Sequence, residues 1–276
     1  MALEVHSLAS GSSGNSILVR DDGCAVLIDA GISVRRIVAA LARVKMNPAD
    51  LSAILITHEH SDHISGAVNM ARKYRVPLVA NAPTLSCIDG SEFAPHRVLD
   101  IGGEFAIGTL AVRSFAVSHD AACPAGYTIC CPGATVCCAT DTGIITPQLR
   151  EESKLANLLI LESNHDIEML RSGSYPWFLK QRILGDRGHL SNDAAAKLLC
   201  GIANPGRPMS VWLAHLSKNN NNPKTALATA RKLLMDCFNT QINVEVAKRD
   251  VASLVWRQGS RPFQLSLFAP QQSNRK

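Results

Sequence analysis

One stretch, Thr57-His58-Glu59-His60-Ser61-Asp62-His63, constrains this chain more than any other. It sets three imidazoles and the carboxylate of Asp62 at the end of the apolar run Ile54-Leu55-Ile56. His58 and His60 stand two apart, so an extended backbone points both the same way. Asp62 and His63 follow at an apparent helix start, where a turn swings them towards a second ion. Neutral imidazole and carboxylate suit zinc and manganese. The chain has 9 histidines in 276 residues, so chance is a poor account of this cluster. The segment reads as ligands for two metal ions.

The run resembles the signature of the metallo-β-lactamase superfamily, and the resemblance extends over most of the chain. It implies an α/β fold, a four-layer αββα sandwich. It also implies further ligands, and residues of the right type lie in order, each just past an apolar run. Asp29 follows Ala25-Val26-Leu27-Ile28, His119 follows the strand-like segment 110–117, Asp141 follows 134–139, and His215 follows Val211-Trp212-Leu213-Ala214. The resemblance places His58, His60 and His119 on one metal, Asp62, His63 and His215 on the other, and Asp141 between them. Asp29 would hydrogen-bond beside the ligands. His6 and His96 match no place in this set.

The rest of the chain is consistent with that architecture. Segments 3–8 and 16–19 read as strands around a Gly/Ser-rich turn, 9–15. A helix fits 33–46, with Ser33 as cap and Val34, Ile37, Leu41 and Val44 as its apolar stripe. Strand 53–57, helix 64–74, strand 76–80 and helix 82–87 follow. Successive strands fill 98–139. Strand 157–161, helices 192–202 and 223–238, and strand 242–246 complete a hydrolase domain over 1–256. No internal boundary is visible within it. Hydrophobic residues make up 46% and charged residues 18%, as expected of a globular enzyme, and no apolar run reaches membrane-spanning length. The 9 cysteines contain no Cys-x-x-Cys. The adjacent pairs Cys130-Cys131 and Cys137-Cys138 fall in strands, where neighbours face opposite sides, and read as small core residues. An odd, unspaced set of this kind indicates a reduced cytoplasm. A net charge of +5 is compatible with an anionic substrate.

Further motifs narrow the branch. These are Ser-Leu-Ala-Ser-Gly-Ser-Ser-Gly-Asn-Ser at 7–16, Glu162-Ser163-Asn164-His165-Asp166, Gly188-His189-Leu190-Ser191-Asn192, and His215-Leu216-Ser217-Lys218-Asn219-Asn220. Together they resemble the YycJ/WalJ group, DNA exonucleases acting from the 5′ end and related to tRNA 3′-processing nucleases. The resemblance implies a catalytic set of Asp62, Glu162 and His189, with His189, backed by Glu162, as proton donor to the leaving oxygen. Leu190 and Ser191 stand where the tRNA enzymes have Ser-Thr, and no long insert is present, which points away from tRNA. Ser12 and Asn15 of the Gly/Ser turn, with His165, Lys218 and Asn219, are the expected substrate contacts. The competing readings are a cyclic phosphodiesterase of the phosphoribosyl type and a non-enzymatic adaptor with a structural metal site. An open two-ion ligand set disfavours the adaptor. His60, where a diiron oxidoreductase branch carries Glu, disfavours that chemistry.

Composition changes after Trp256. Residues 257–276 carry Arg257, Arg261, Arg275 and Lys276 and no acid, and read as a disordered basic tail. Within it, Gln264-Leu265-Ser266-Leu267-Phe268 resembles the bacterial sliding-clamp-binding peptide. Leu267 and Phe268 would fill an apolar pocket, with Leu265 beside them and Gln264 as a polar anchor. The sequence does not disclose the oligomeric state.

Overall fold

The structure, a computed structural model, describes residues 2–204, 206–237 and 242–259. Two seven-stranded sheets pack face to face. The first contains β1 (Glu4–Ala9), β2 (Ser16–Arg20), β3 (Ala25–Ile28), β4 (Ala53–Leu55), β5 (Leu78–Ala80) and β6 (His96–Val98). The final strand, β14 (Val255–Arg257), returns to pair with β1, giving the order β14-β1-β2-β3-β4-β5-β6. The second contains β7 (Glu104–Ile107), β8 (Leu110–Ala116), β9 (Ala125–Cys131), β10 (Ala134–Ala139), β11 (Leu158–Glu162), β12 (Met209–Ala214) and β13 (Ile242–Val246), in order from β13 back to β7. The sheets share one plan. Each begins with antiparallel strands and ends in a parallel set, β3 to β6 in one and β10 to β13 in the other.

The parallel strands are buried on both faces, which is why they read as unbroken apolar runs. In β3, Val26 and Ile28 enter the core between the sheets, while Ala25 and Leu27 face the helices outside. Cys137 and Cys138 divide in the same way, the first to the outer layer and the second to the inter-sheet core. Outside the first sheet lie α1 (Val34–Arg43), α3 (Ala67–Tyr74) and α4 (Ala82–Ser86), contributing Ile37, Leu41, Met70, Ala71 and Leu85. Outside the second lie α5 (Pro147–Leu155), α8 (Asn192–Ile202) and α9 (Pro223–Asp236), contributing Leu149, Leu198, Leu199, Ala230 and Leu234. The result is a helix–sheet–sheet–helix sandwich with three apolar layers.

Some local differences from the sequence reading have physical causes. The helix expected over 64–74 is two, α2 (Ser61–Ile64) and α3, separated at Gly66. A Cβ on Gly66 would lie 2.3 Å from the Ile32 carbonyl oxygen, so the chain passes too close for a side chain there. Helices α5, α6 (Ile167–Ser172) and α7 (Trp177–Leu184) were not expected. Arg257, placed at the start of the tail by composition, lies in β14 opposite Glu4, and the Gln258 N–H donates to the Leu3 carbonyl at 2.9 Å. The peptide Gln264 to Phe268 lies outside the described residues. Among the described residues no helix is long and apolar enough to cross a membrane.

Candidate metal centre

Most of the site is built from residues at or just past the ends of the parallel strands, with His119 coming instead after antiparallel β8. Asp29 comes after β3, the segment 57–63 after β4, Asp141 after β10 and His215 after β12, while Glu162 is the last residue of β11. Asp29 and Asp141 occupy equivalent places in the two sheets. They adopt φ of 59° and 57°, and His215 has φ 55°. Left-handed backbone is uncommon outside glycine and clusters at functional sites. Three such residues at adjoining strand ends mark these ends as built for something other than stability.

Ligand atoms of His58, His60 and His119 lie within 4.8 Å of one another, as do those of Asp62, His63 and His215, and those of His58, His63 and Asp141. Asp141 stands between the groups. One of its oxygens is 3.2 Å from His63 Nε2, and the other is 3.8 Å from His119 Nε2 and 3.3 Å from His215 Nδ1. Its Oδ2 is buried and accepts no hydrogen bond. A buried carboxylate oxygen without a donor, facing imidazole nitrogens, fits a divalent cation, and the all-nitrogen-and-oxygen ligand set matches that chemistry.

A surrounding layer fixes the ring orientations. Nδ1 of His63 lies 2.7 Å from Asp29 Oδ2, and Asp29 also accepts from the backbone N–H and the hydroxyl of Thr57. His119 Nδ1 lies 2.9 Å from the Gly188 carbonyl. His215 Nδ1 lies 2.9 Å from Glu162 Oε1. In each case the partner is an acceptor, so Nδ1 holds a proton and Nε2 is the nitrogen turned to the ligand cluster. The other oxygen of Glu162 accepts from the N–H groups of Thr142 and Leu190.

Electrostatics follow from this crowding. Burial, aided by the neighbouring His63, holds His58 well below the ordinary imidazole value. Burial opposes protonation of His63, yet Asp29 and Asp141 outweigh it and carry the group well above that value. Against the same opposition, Asp141, Asp62 and Glu162 push His215 up to about 10. Burial disfavours ionisation of Glu162, but His189 and His215 hold it down at about 2. Asp141 is likewise kept well below the carboxylate range by His215 and His63. The carboxylates thus attract positive charge to the site, and a metal binding there displaces protons.

The expected substrate residues separate into two sets. Ser12 lines the cleft above the ligands, together with His60, Asp62, His119, Asp141, His189 and His215. Asn15 is buried and braces the ligands instead, with Nδ2 at 3.0 Å from His63 Nε2. Asn219 donates to the Tyr175 hydroxyl at 3.2 Å, and Tyr175 lines the cleft. Lys218 is exposed and outside the lining. His165 is also outside it, buried with both ring nitrogens unpaired, and burial lowers its value to about 4. The sequence reading missed Asp120, Tyr175, Leu179, Arg182 and Ile183, while Asn164, Gly188 and Ser217, from the motifs at 162–166, 188–192 and 215–220, complete the wall. Asp120 directly succeeds a proposed ligand, and Arg182 donates to it at 2.5 Å. Only that adjacency was a sequence signal.

Comparison with known proteins agrees with the geometry. Residues 25–215 match the beta-lactamase superfamily domain. The chain is 42% identical over 229 residues to the exodeoxyribonuclease WalJ of Streptococcus pneumoniae, covering 80% of this chain and 84% of that one. It is 39% identical over 238 residues to the exodeoxyribonuclease YycJ of Bacillus anthracis, covering 85% and 90% respectively. The metallo-beta-lactamase fold protein YhfI from Bacillus subtilis superposes with a TM-score of 0.69 at 15% identity, over 93% of this chain and 100% of that one, a likeness of fold alone. The chain belongs to the beta-lactamase superfamily of metal-dependent hydrolases, alongside the WalJ and YycJ proteins.

Proposed function

We propose that this protein is a dinuclear phosphodiesterase, a DNA exonuclease working from the 5′ end with zinc or manganese. The observation that carries the reading is the part-exposed imidazole of His189, tied through Nδ1 to ionised, buried Glu162 at 2.8 Å and lining the same cleft as the ligand cluster. Burial disfavours its protonation, but Glu162 and Asp141 raise its pKa. That suits a group which must hold a proton and then release it. His58, His60 and His119 would hold one ion, Asp62, His63 and His215 the other, and Asp141 both. Two ions bound so would supply an activated hydroxide and neutralise phosphate charge. His189 gives its Nε2 proton to the leaving oxygen, and Glu162 keeps the ring oriented and stabilises its charged form. Ser12 and the surrounding Gly/Ser turn contact phosphate. The exodeoxyribonuclease relatives support DNA as the substrate class. The 264–268 peptide supports delivery by the sliding clamp during replication or repair, in the cytoplasm.

The test is a side-by-side digestion. Protein loaded with zinc or manganese is incubated with end-labelled duplex DNA, single-stranded DNA, RNA and a cyclic phosphodiester. Progressive loss from DNA 5′ ends is the expected result. Turnover of the cyclic compound alone would replace this reading with the small-molecule one.

A further inference from the structure

One wall of the cleft is helix α7 and the turn before it. Tyr175, Leu179, Arg182 and Ile183 face the site. The last three are spaced i, i+3, i+4 and so share a helix face. Burial of Ile183 and the Arg182–Asp120 ion pair account for the helix docking where it does. They do not account for the residues that open it. Trp177 and Phe178 are 67% and 71% exposed. Among the described residues, the only other comparably exposed Phe or Trp ring is Phe93. Adjacent rings left in water call for an occupant.

Their position narrows what that occupant is. Phe178 stands one turn before Arg182, on the side of the helix next to the cleft wall, and Trp177 precedes it at the helix start. Segment 171–185 holds Arg171, Lys180 and Arg182, of which Arg171 pairs with Glu168 and Arg182 with Asp120. Lys180 Nζ donates to the Arg171 carbonyl at 2.7 Å, which leaves its charge uncancelled by a carboxylate partner there. Flat apolar surface beside positive charge, continuous with a phosphodiester-cleaving cleft, complements a single nucleic acid strand, which offers flat bases on an anionic backbone. Stacking on rings is indifferent to base identity, as an enzyme that digests any sequence requires. A purely apolar protein partner would have no use for Lys180.

We propose that Trp177 and Phe178 form a stacking platform for the unpaired bases of a DNA end, holding the strand while its terminal phosphodiester sits at the ligand cluster. The proposal rests on the nuclease reading for its substrate, and a binding measurement tests it separately from cleavage. Metal-loaded protein is titrated with a fluorescent single-stranded oligonucleotide carrying cleavage-resistant phosphorothioate linkages, and with the same strand made abasic. Wild-type protein should bind the normal strand more tightly than the abasic one. The double variant Trp177→Ala/Phe178→Ala should lose about tenfold in affinity per ring for the normal strand and little for the abasic one. Trp177→Phe/Phe178→Tyr, which keeps the rings, should restore the preference. Hydrolysis of bis(p-nitrophenyl) phosphate, too small to reach the platform, should be unchanged in all variants. An equal response to normal and abasic strands overturns the platform. So does a double variant whose only change is altered self-association in sedimentation, which would make the face a contact between copies. Wild-type protein that cleaves neither DNA nor the small diester overturns the nuclease reading instead, whatever the binding shows.

Discussion

His189 and His215 donate to the same oxygen of Glu162, at 2.8 and 2.9 Å. An ionised carboxylate can only accept, so each ring holds a proton on Nδ1 and turns Nε2 outwards, and in the charged form of His189 Nε2 holds the second proton. His215 turns its Nε2 to the ligand cluster, 3.4 Å from Asp62. One buried carboxylate therefore orients a proposed metal ligand and the proposed proton donor, and links two roles that are otherwise separable.

That link makes two substitutions distinguishable. His189→Ala should leave metal binding intact and slow DNA cleavage by roughly 10²–10⁴-fold, the usual contribution of a positioned acid. Glu162→Gln should slow cleavage too, and also weaken metal binding by roughly 10–100-fold through His215. Metal titration beside cleavage rates separates them. A diester with a p-nitrophenolate leaving group, which needs little protonation, should lose far less in His189→Ala. Normal DNA cleavage by that variant would remove His189 from its role.

Metal content tests the ligand assignment directly. Elemental analysis should find about two ions per chain, as an Asp141-bridged pair requires. Asp141→Ala should cost more ion than loss of any single imidazole, because this carboxylate serves both groups. Chelation should lower the melting temperature, since ligand at about 100 times its Kd contributes roughly 2.7 kcal/mol to the folded state. A replete preparation holding no metal would defeat the assignment.

The strands and most of the proposed ligands were legible because their signals are local. A strand buried on both faces writes an unbroken apolar run, and His58 to His63 lie within six residues. The bracing role of Asn15 was not legible, since it depends on the Gly/Ser turn folding against Asp62 and His63, 47 and 48 residues away. Helix α7 was missed because its first residues are exposed aromatics in place of an amphipathic opening, and Pro176 precedes them. Helix α5 does carry cap signals, Thr146 before Pro147, but its buried positions include Glu152 and Ser153, which break the apolar stripe. His165 shows the opposite limit. Its motif sets it beside Asn164, which reaches the cleft, yet neighbours on an extended segment point apart and His165 is turned inward.

The proposed clamp peptide is separable from the chemistry. The last described strand, β14, ends at Arg257, seven residues before Gln264. Leu267→Ala/Phe268→Ala should abolish binding to the cognate sliding clamp in calorimetry, since buried apolar anchors dominate peptide affinity. Digestion of free DNA should stay at the wild-type rate. No clamp binding by wild-type protein at tens of micromolar would remove this partner.

Strand β14 also brings a pH-dependent contribution to stability. Burial opposes ionisation of Glu4, but hydrogen bonds from Arg257, Arg20 and His6 hold it at about 2, below its ordinary 4.5. A depressed carboxylate stabilises the fold above the unfolded value and loses that contribution as pH falls through the folded one. Wild-type protein should therefore be more stable than Glu4→Gln at neutral pH, with the gap closing between about 4.5 and about 2. The ion pairs are partly exposed, so the gap should be small and shrink in high salt. Urea melts of both proteins across that range measure it, and a gap that widens on acidification would contradict the assignment.

Gly31 offers the sharpest test of how the scaffold holds the ligands. Its N–H donates to the Asn15 carbonyl at 2.8 Å, and its carbonyl accepts from the Ser65 hydroxyl at 2.6 Å. A Cβ there would lie 1.6 Å from the Asp62 carbonyl oxygen and 2.8 Å from the His63 nitrogen. Both are backbone atoms at the start of α2, so no side chain can rotate away, and one segment must move. Gly31→Ala should therefore displace Asp62 and His63 together. Overpacking of this kind costs about 1–3 kcal/mol, or several degrees of melting temperature in a chain of this size. The ion assigned to Asp62, His63 and His215 should be lost before the one assigned to His58, His60 and His119, because the clash falls on the first group. Gly23→Ala is the control, since a Cβ there meets nothing within 4 Å. Metal titration and thermal melts of the two variants decide the matter. Wild-type metal content in Gly31→Ala would show that this close approach does not position the ligands.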